Sequence, residues 1–204
     1  MKKNISGVFS ILFIFVVLSL LEGAALGAEP VTMLGNAAQS GAADCTNLAA
    51  IELPIPTSDG EKNYLGLSGN GNFKIGQING QVLIIEVYSF YCPHCQRMAA
   101  QVNDLYSEIQ KRSDLKGKIK MIGIGASNSA YEVEQYRERY HVPFPLFPDK
   151  ELEIAAKLCV KGTPTFIGVK MDGKGLPERF YFGEGGFQDT QKFLAEIIQS
   201  SGIK

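Results

Sequence analysis

Apolar residues recur along the chain with two different periods, and the change between them marks its elements. Val82 to Tyr88 is a continuous apolar run that only Glu86 interrupts, which is the pattern of a strand buried on both faces of a sheet. The stretch that follows has apolar residues at spacings of four, three and four, which predicts a helix of about four turns. These positions are Met98, Val102, Leu105 and Ile109.

The same two periods predict six more elements. Strand patterns occupy Ile119 to Ile124, Thr165 to Lys170 and Glu178 to Phe182. Helix patterns occupy the segment from the capping box of Ser129 and Glu132 through Tyr140, then Glu151 to Leu158, then Gln188 to Gln199. Three prolines, at positions 143, 145 and 148, break the segment between the first two of these three helices. The order is strand, helix, strand, helix, helix, strand, strand, helix, which predicts an α/β fold with a mixed sheet.

The region before these elements has a different composition. Residues 29 to about 50 are rich in Ala, Gly, Ser and Asn without a period, as in a linker or a loosely held arm. From Ile51 to Gly80, short apolar pieces alternate with Pro and Gly, which predicts short strands and turns. We therefore predict an N-terminal arm over 29–61 and one folded domain over 62–200.

The N-terminus has the pattern of a secretory signal peptide over residues 1–28. Lys2 and Lys3 precede a nearly unbroken apolar stretch from Ile5 to Leu21, and small residues follow from Gly23 to Ala28. The pattern predicts export, and the periplasm is the favoured compartment. An uncleaved anchor, holding the protein to the inner membrane by residues 5–21, is the alternative.

Composition narrows the function classes. With 204 residues, 45% of them hydrophobic, the chain is long enough for one compact core. Its net charge is -1 and it has no basic stripe, so no nucleic-acid partner is expected. Four cysteines are too few for a disulfide scaffold, and in an exported chain they favour redox chemistry.

Two of these cysteines form a Cys-Pro-His-Cys motif, residues 92–95, between the first predicted strand and its helix. Pro93 suits the first helical position, where a missing N–H costs nothing. Cysteines three residues apart on a first helical turn are close enough to form a disulfide, and the helix N-terminus stabilises a thiolate. The pattern therefore predicts a dithiol that opens and closes reversibly.

Two motifs carry a resemblance to a known family. Ile85 to Gln96 resembles the active-site segment of thioredoxin-fold oxidoreductases, in the Cys-Pro-His-Cys form of DsbA-type disulfide oxidants. Gly162 to Phe166 resembles the second signature of that fold, a loop whose proline is cis and faces the dithiol. The intervening Ile119 to Tyr140 resembles the insertion in secreted TlpA- and ResA-like thioredoxins and in peroxiredoxins. The resemblance implies a thioredoxin fold, with a mixed central sheet flanked by helices and a strand-helix insertion between the CxxC helix and the cis-Pro loop.

The motif also suggests roles for its residues. Cys92, at the helix N-terminus and nearest to solvent, is the expected attacking sulfur, and Cys95 the resolving thiol. His94 can hold an imidazolium near Cys92 and lower its pKa, which would make the disulfide more oxidising. A structural disulfide, half of a zinc site, or a His94 without effect are the alternatives; a zinc site lacks a second ligand pair at suitable spacing.

Three further residues are candidates. Glu86 stands six residues before Cys92, like the buried carboxylate of the fold, and could pass protons to the resolving thiol. The alternative is an edge glutamate paired with a lysine. The resemblance implies that Thr163 and Pro164 expose backbone groups to an extended substrate segment.

Cys45 and Cys159 remain open at this point. They could form one structural disulfide that ties the arm to the domain, act as a second redox pair that relays electrons to the motif, or stay as two thiols.

These observations predict an exported protein thiol-disulfide oxidoreductase that needs no cofactor or metal. Its partners would be protein thiol or disulfide substrates and an unidentified redox partner, with a membrane oxidoreductase as one candidate. The motif favours an oxidant, while the TlpA-like body is shared with reductases and isomerases. A peroxiredoxin-like peroxidase is less favoured because Ile85 stands where that motif needs proline, although Ser89 fits. A copper chaperone would need a remote histidine, and only His94 and His141 exist.

Overall fold

The computed structural model describes Cys45 and residues 47–203, apart from 172, 174 and 175. The strands are β1 (Glu52–Pro54), β2 (Asn72–Lys74), β3 (Val82–Tyr88), β4 (Ile119–Ala126), β5 (Leu146–Asp149), β6 (Thr165–Lys170) and β7 (Glu178–Glu184). The α-helices are α1 (Asp59–Leu65), α2 (Pro93–Lys111), α3 (Ala130–Tyr140), α4 (Glu153–Lys157) and α5 (Thr190–Ser201), with short 3-10 helices at Leu48–Ala50 and Ile75–Gln77. The predicted signal peptide or anchor and the arm before Cys45 lie outside the described residues.

A five-stranded mixed sheet forms the centre, in the order β5-β4-β3-β6-β7. β3 is parallel to β4, and β4 to β5, whereas β6 is antiparallel to both β3 and β7. All seven residues of β3 are buried, because strands flank it on both sides and layers cover both faces of the sheet. This arrangement confirms the predicted mixed α/β fold.

The two faces of the sheet carry different layers. One hydrophobic cluster joins the sheet to α2, α3 and α5, and a second joins it to α1, α4 and the β1-β2 pair. Side chains alternate along β3: Val82, Ile84 and Tyr88 point to the first cluster, and Leu83, Ile85 and Val87 to the second. Because alternation has a period of two, Glu86 points toward the α2 face.

Most predicted elements occur near their predicted positions. β3 has the predicted bounds, and Pro93 is the first residue of α2. α3 begins after Ser129, whose hydroxyl accepts the Glu132 N–H while the Glu132 carboxylate accepts the Ser129 N–H. These elements were predictable because local chemistry and burial favour the same structure.

One strand and one α-helix were not predicted. β5 lies in the segment that prolines were expected to break. It is an edge strand with a neighbour on one side only, so Pro148, which has no backbone N–H, need not donate a hydrogen bond to a second strand. α1 begins after Ser58, in the segment predicted to hold only short strands and turns, and Gly66, with φ of 72°, caps its C-terminus.

The packed domain also begins earlier than residue 62. Leu48, Ile51 and Leu53 are buried in the second cluster, beside residues of the central sheet. Three apolar residues are too few to show a period, so composition alone suggested an arm.

Among the helices that the structure describes, each is too short or too polar to span a bilayer.

Candidate active site

The Cys-Pro-His-Cys segment lies where β3 passes into α2. Cys92 is the N-cap of α2 in an extended conformation, and its Sγ accepts the Cys95 backbone N–H at 3.3 Å. Cys92 is half-buried and Cys95 is buried, and both carry free thiols. The helix start therefore presents one sulfur to the surface and holds the other beneath it.

The second motif lies directly beside the first. The Thr163–Pro164 peptide bond is cis, and the Cys92 Sγ lies 3.3 Å from the carbonyl oxygen of Thr163. The Pro164 carbonyl accepts the Gly185 N–H at 2.8 Å. Thr163 is thus the residue of the pair whose backbone faces the dithiol.

The two thiols differ strongly in acidity. Partial burial opposes ionisation of Cys92, but hydrogen bonds with the side chains of Cys95 and Thr163, and with the backbone N–H groups of Cys95 and His94, lower its pKa overall. Burial, followed by the hydrogen bond with Cys92, raises the pKa of Cys95 to about 12. Cys92 is therefore the thiol that ionises first, as an attacking sulfur requires.

His94 is exposed on the first turn of α2. Its backbone N–H is one of the groups that lower the pKa of Cys92. A contribution from its imidazole remains a prediction. His141, the other histidine of the chain, is exposed at the end of α3.

Glu86 lies in the middle of the central sheet rather than at an edge. Its side chain is 2% exposed, and its Oε1 has no hydrogen-bond partner among the described residues. Burial, and then the negative charge of Cys92, raise the pKa of the Glu86 carboxyl to about 8. A carboxyl with such a pKa can hold or release a proton near neutral pH.

Two tyrosines that the sequence analysis did not single out lie beside this carboxyl. The Tyr136 hydroxyl donates to the Cys95 carbonyl at 3.2 Å, and its ring lies 4.3 Å from that of Tyr88. Both rings are buried, and burial together with the charge of Glu86 raises the pKa of each phenol. The apolar run of β3 placed Tyr88 in the core, but nothing in the sequence pattern showed that the Tyr136 hydroxyl would bond to the Cys95 carbonyl.

A further set of hydrogen bonds holds the loop before Cys92. The fully buried Asn128 accepts the Phe90 N–H at 2.8 Å, and the Gln96 amide donates to the Phe90 carbonyl at 2.7 Å. The Tyr91 hydroxyl donates to the Glu132 carboxylate. Asn128 had no sequence signal beyond its place next to a helix cap.

Cys45 and Cys159 are joined by a disulfide, with their Cα atoms 5.5 Å apart. Cys159 follows α4 with φ of 57° and precedes Thr163 by four residues. The link therefore connects the start of the described chain to the turn that leads into the cis-proline loop.

No group of three His, Cys, Asp or Glu side chains within the described residues could hold a metal ion.

The chain is similar to a known family and to proteins of solved structure. The model of the AhpC/TSA family matches residues 54–187, which is more than half of the chain. The thiol-disulfide oxidoreductase ResA of Halalkalibacterium halodurans is 22% identical over 103 residues, covering 50% of this chain. The match spans 56% of that relative's own length.

Two solved structures share the fold. A secreted Mycobacterium tuberculosis disulfide oxidoreductase, described as homologous to E. coli DsbE, matches with a TM-score of 0.50 at 13% identity, covering 64% of this chain and 90% of the other. A thioredoxin-like protein from Aeropyrum pernix matches with a TM-score of 0.52 at 14% identity, covering 74% and 89%. At such identities the likeness establishes the thioredoxin-like fold.

Proposed function

The chain belongs to the AhpC/TSA family, and we propose that it is an exported thiol-disulfide oxidoreductase that exchanges disulfides with protein thiols through Cys92 and Cys95. One observation carries the proposal. A half-buried thiol of lowered pKa lies one helical turn from a buried thiol of raised pKa, under the carbonyl of Thr163. The names of curated relatives such as ResA support the same class of reaction.

Exchange begins at Cys92 because it is the more accessible of the two sulfurs. In the oxidising direction, a client thiolate attacks Cys92 in the Cys92–Cys95 disulfide, and the bond between the two cysteines breaks. Cys95 leaves with the electron pair and takes up a proton. A second client thiolate then attacks the mixed disulfide, and Cys92 leaves as a thiolate. The client gains a disulfide and the protein becomes a dithiol, with two electrons transferred.

Glu86 is the proposed source of the proton for Cys95. A thiol with a pKa of about 12 is a poor leaving group as a bare thiolate, so its departure benefits from protonation. Glu86 is buried on the face of the sheet that α2 covers, and its pKa of about 8 leaves it protonated at neutral pH. In the reducing direction the same carboxylate would accept the proton when Cys95 attacks.

We favour the oxidising direction. A lowered pKa of Cys92 stabilises the reduced form, and a more stable reduced form makes the disulfide a stronger oxidant. A reductase or isomerase of the TlpA/ResA type is the alternative. Equilibration of the pair with glutathione or dithiothreitol buffers would measure its reduction potential. A value well above that of thioredoxin, about -270 mV, supports the oxidant, and a value near or below it supports the reductase.

The proposed setting is the periplasm, reached through the signal sequence of residues 1–28, with cleavage or retention as an anchor both open to test. Clients would be proteins with thiols or disulfides, and a separate redox partner, such as a membrane oxidoreductase, would reset the pair. No cofactor is required by this cycle. Rapid consumption of hydrogen peroxide with oxidation of Cys92 would instead favour a peroxidase.

A further inference from the structure

A groove of about 430 Å³ lies between the segments that flank the dithiol, which contribute Ser89 and Thr163, and the residues of α4. Ser89 and Thr163 form its near end, and both contact the attacking residue: the Ser89 carbonyl accepts the Cys92 N–H at 3.0 Å, and the Thr163 carbonyl lies 3.3 Å from the Cys92 Sγ. A client segment joined to Cys92 would therefore pass along or into this groove.

Small side chains keep the groove open. Ala126, Ala155 and Ala156 line it, and a side chain built at Gly162 would meet nothing within 4 Å. Ala126 ends β4, and the other two alanines belong to α4, which packs against β4. Larger residues at these positions would fill the space, so the shape of the groove depends on their size.

Leu152 forms part of the wall in an unfavourable conformation. Its side chain is 46% exposed, and its backbone is left-handed, with φ of 60°. Leucine rarely occupies this region, where glycine or asparagine fits without strain, and retained strain of this kind occurs at binding sites. An exposed leucine here places an apolar surface toward the groove at a cost to the fold.

The charge of the lining indicates what lies next to that apolar surface. Lys161 is the one charged residue among the residues that line the groove, and its side chain is exposed. It stands two positions before Thr163, the lining residue whose carbonyl lies 3.3 Å from the Cys92 Sγ. A carboxylate on the bound segment would complement it.

We propose that this groove selects clients: it binds an apolar side chain adjacent to the cysteine that reacts with Cys92, and Lys161 faces a carboxylate on the same segment. The proposal rests on the proposed exchange at Cys92 and adds a substrate class to it. The preferred client is an extended segment whose reactive cysteine has a bulky apolar neighbour and a nearby Asp or Glu.

The test measures exchange between the oxidised protein and dithiol peptides by acid quenching, alkylation and mass spectrometry. The peptides differ only in having Leu or Ser beside the first cysteine, and Glu or Lys on its other side. Dithiothreitol serves as a dithiol too small to use the groove. Burial of one leucine side chain predicts that the Leu peptide reacts about tenfold faster than the Ser peptide.

Two variants remove this preference by opposite means. Ala156→Phe fills the groove, and Leu152→Gly removes the wall while suiting the left-handed backbone, so folding is retained. Both should bring the Leu and Ser rates within about twofold of each other and leave the dithiothreitol rate unchanged. Ala195→Phe, on the exposed face of α5, is the matched control and should keep the tenfold preference.

The charge is tested separately. Lys161→Glu should reverse the preference for the Glu peptide over the Lys peptide. Lys116→Glu, a change at an exposed lysine before β4, should leave that preference as it is.

Equal rates for the Leu and Ser peptides with the native protein, or an unchanged preference in both groove variants, would overturn the groove proposal alone. Failure of the native protein to exchange with any dithiol, including dithiothreitol, would overturn the proposed function.

Discussion

The Sγ of Cys92 lies 3.3 Å from the carbonyl oxygen of Thr163, which is 71 residues later in the chain. The contact joins the N-terminus of α2, which follows β3, to the loop before β6, and β3 and β6 are neighbours in the sheet. It brings the dithiol against a backbone segment suited to hold an extended client. The roles assigned to these residues lead to five predictions.

The two cysteines should give opposite results when replaced. Cys95→Ala keeps the attacking sulfur but removes the resolving thiol, so mixed disulfides with clients should accumulate. Cys92→Ala should abolish exchange, because the remaining thiol is buried and its pKa is raised. Non-reducing electrophoresis followed by mass spectrometry would detect the adducts. Equal trapping by the two variants would refute this assignment.

The pKa of Cys92 should lie below the ordinary value of 9.0 in the reduced protein. Ultraviolet absorbance of the thiolate, followed during a pH titration, would show one thiol ionising early and the second only in strong base. His94→Ala keeps the backbone N–H and removes the imidazole. A rise in the pKa of Cys92 in that variant would support a role for the side chain, and an unchanged pKa would assign the effect to the backbone.

Glu86→Gln should stabilise the protein in a pH-dependent way. The carboxyl has a pKa of about 8 when folded, against 4.5 as its ordinary value, so the folded state holds a proton that the unfolded chain has lost between these values. Native stability therefore falls as pH rises from about 4.5 to about 8. The variant does not lose stability in this way. Its free energy of unfolding should exceed that of the native protein by about 4 to 5 kcal/mol above pH 8, and the difference should vanish near pH 4.

Denaturant unfolding at several pH values would measure the effect, with Glu184→Gln, an exposed glutamate at the end of β7, as the control. The same Glu86 variant should slow the departure of Cys95 in single-turnover exchange by about a hundredfold, because the proton donor is lost. Unchanged exchange kinetics would remove Glu86 from the mechanism.

The Cys45–Cys159 disulfide should stabilise the fold without taking part in exchange. It closes a loop of 114 residues, and its loss in a Cys45→Ala/Cys159→Ala variant should lower the free energy of unfolding by about 2 to 5 kcal/mol. Peptide mapping without reduction would show the link in protein from the exported compartment. A marked loss of client turnover at full folding would instead support an electron relay.

Asn128→Ala should disturb the loop that carries Cys92. The change leaves the Phe90 N–H without its acceptor and should cost about 1 to 3 kcal/mol of stability. Exchange should slow as well, because the loop positions the attacking sulfur. Asn103→Ala removes a comparable bond to the Tyr140 carbonyl, away from the dithiol, and should reduce stability without slowing exchange.

The sequence alone determined the elements whose local chemistry and burial agree. The apolar run of β3, the proline that starts α2 and the capping box of α3 each favour one structure through nearby residues. The two thioredoxin-like motifs then indicated the fold and the residues of the dithiol site. Glu86 was identifiable because a charged residue within an otherwise apolar strand is conspicuous.

Other features depended on tertiary structure. Pro148 lies in a strand because β5 is at the sheet edge, and Leu48 and Leu53 belong to the core because the β1-β2 pair covers one face of the sheet. The hydroxyl of Tyr136, the amide of Asn128 and the wall formed by Leu152 reach the site through packing between elements distant in sequence. Periodicity shows which side of an element is buried, but only the packed fold determines which groups meet there.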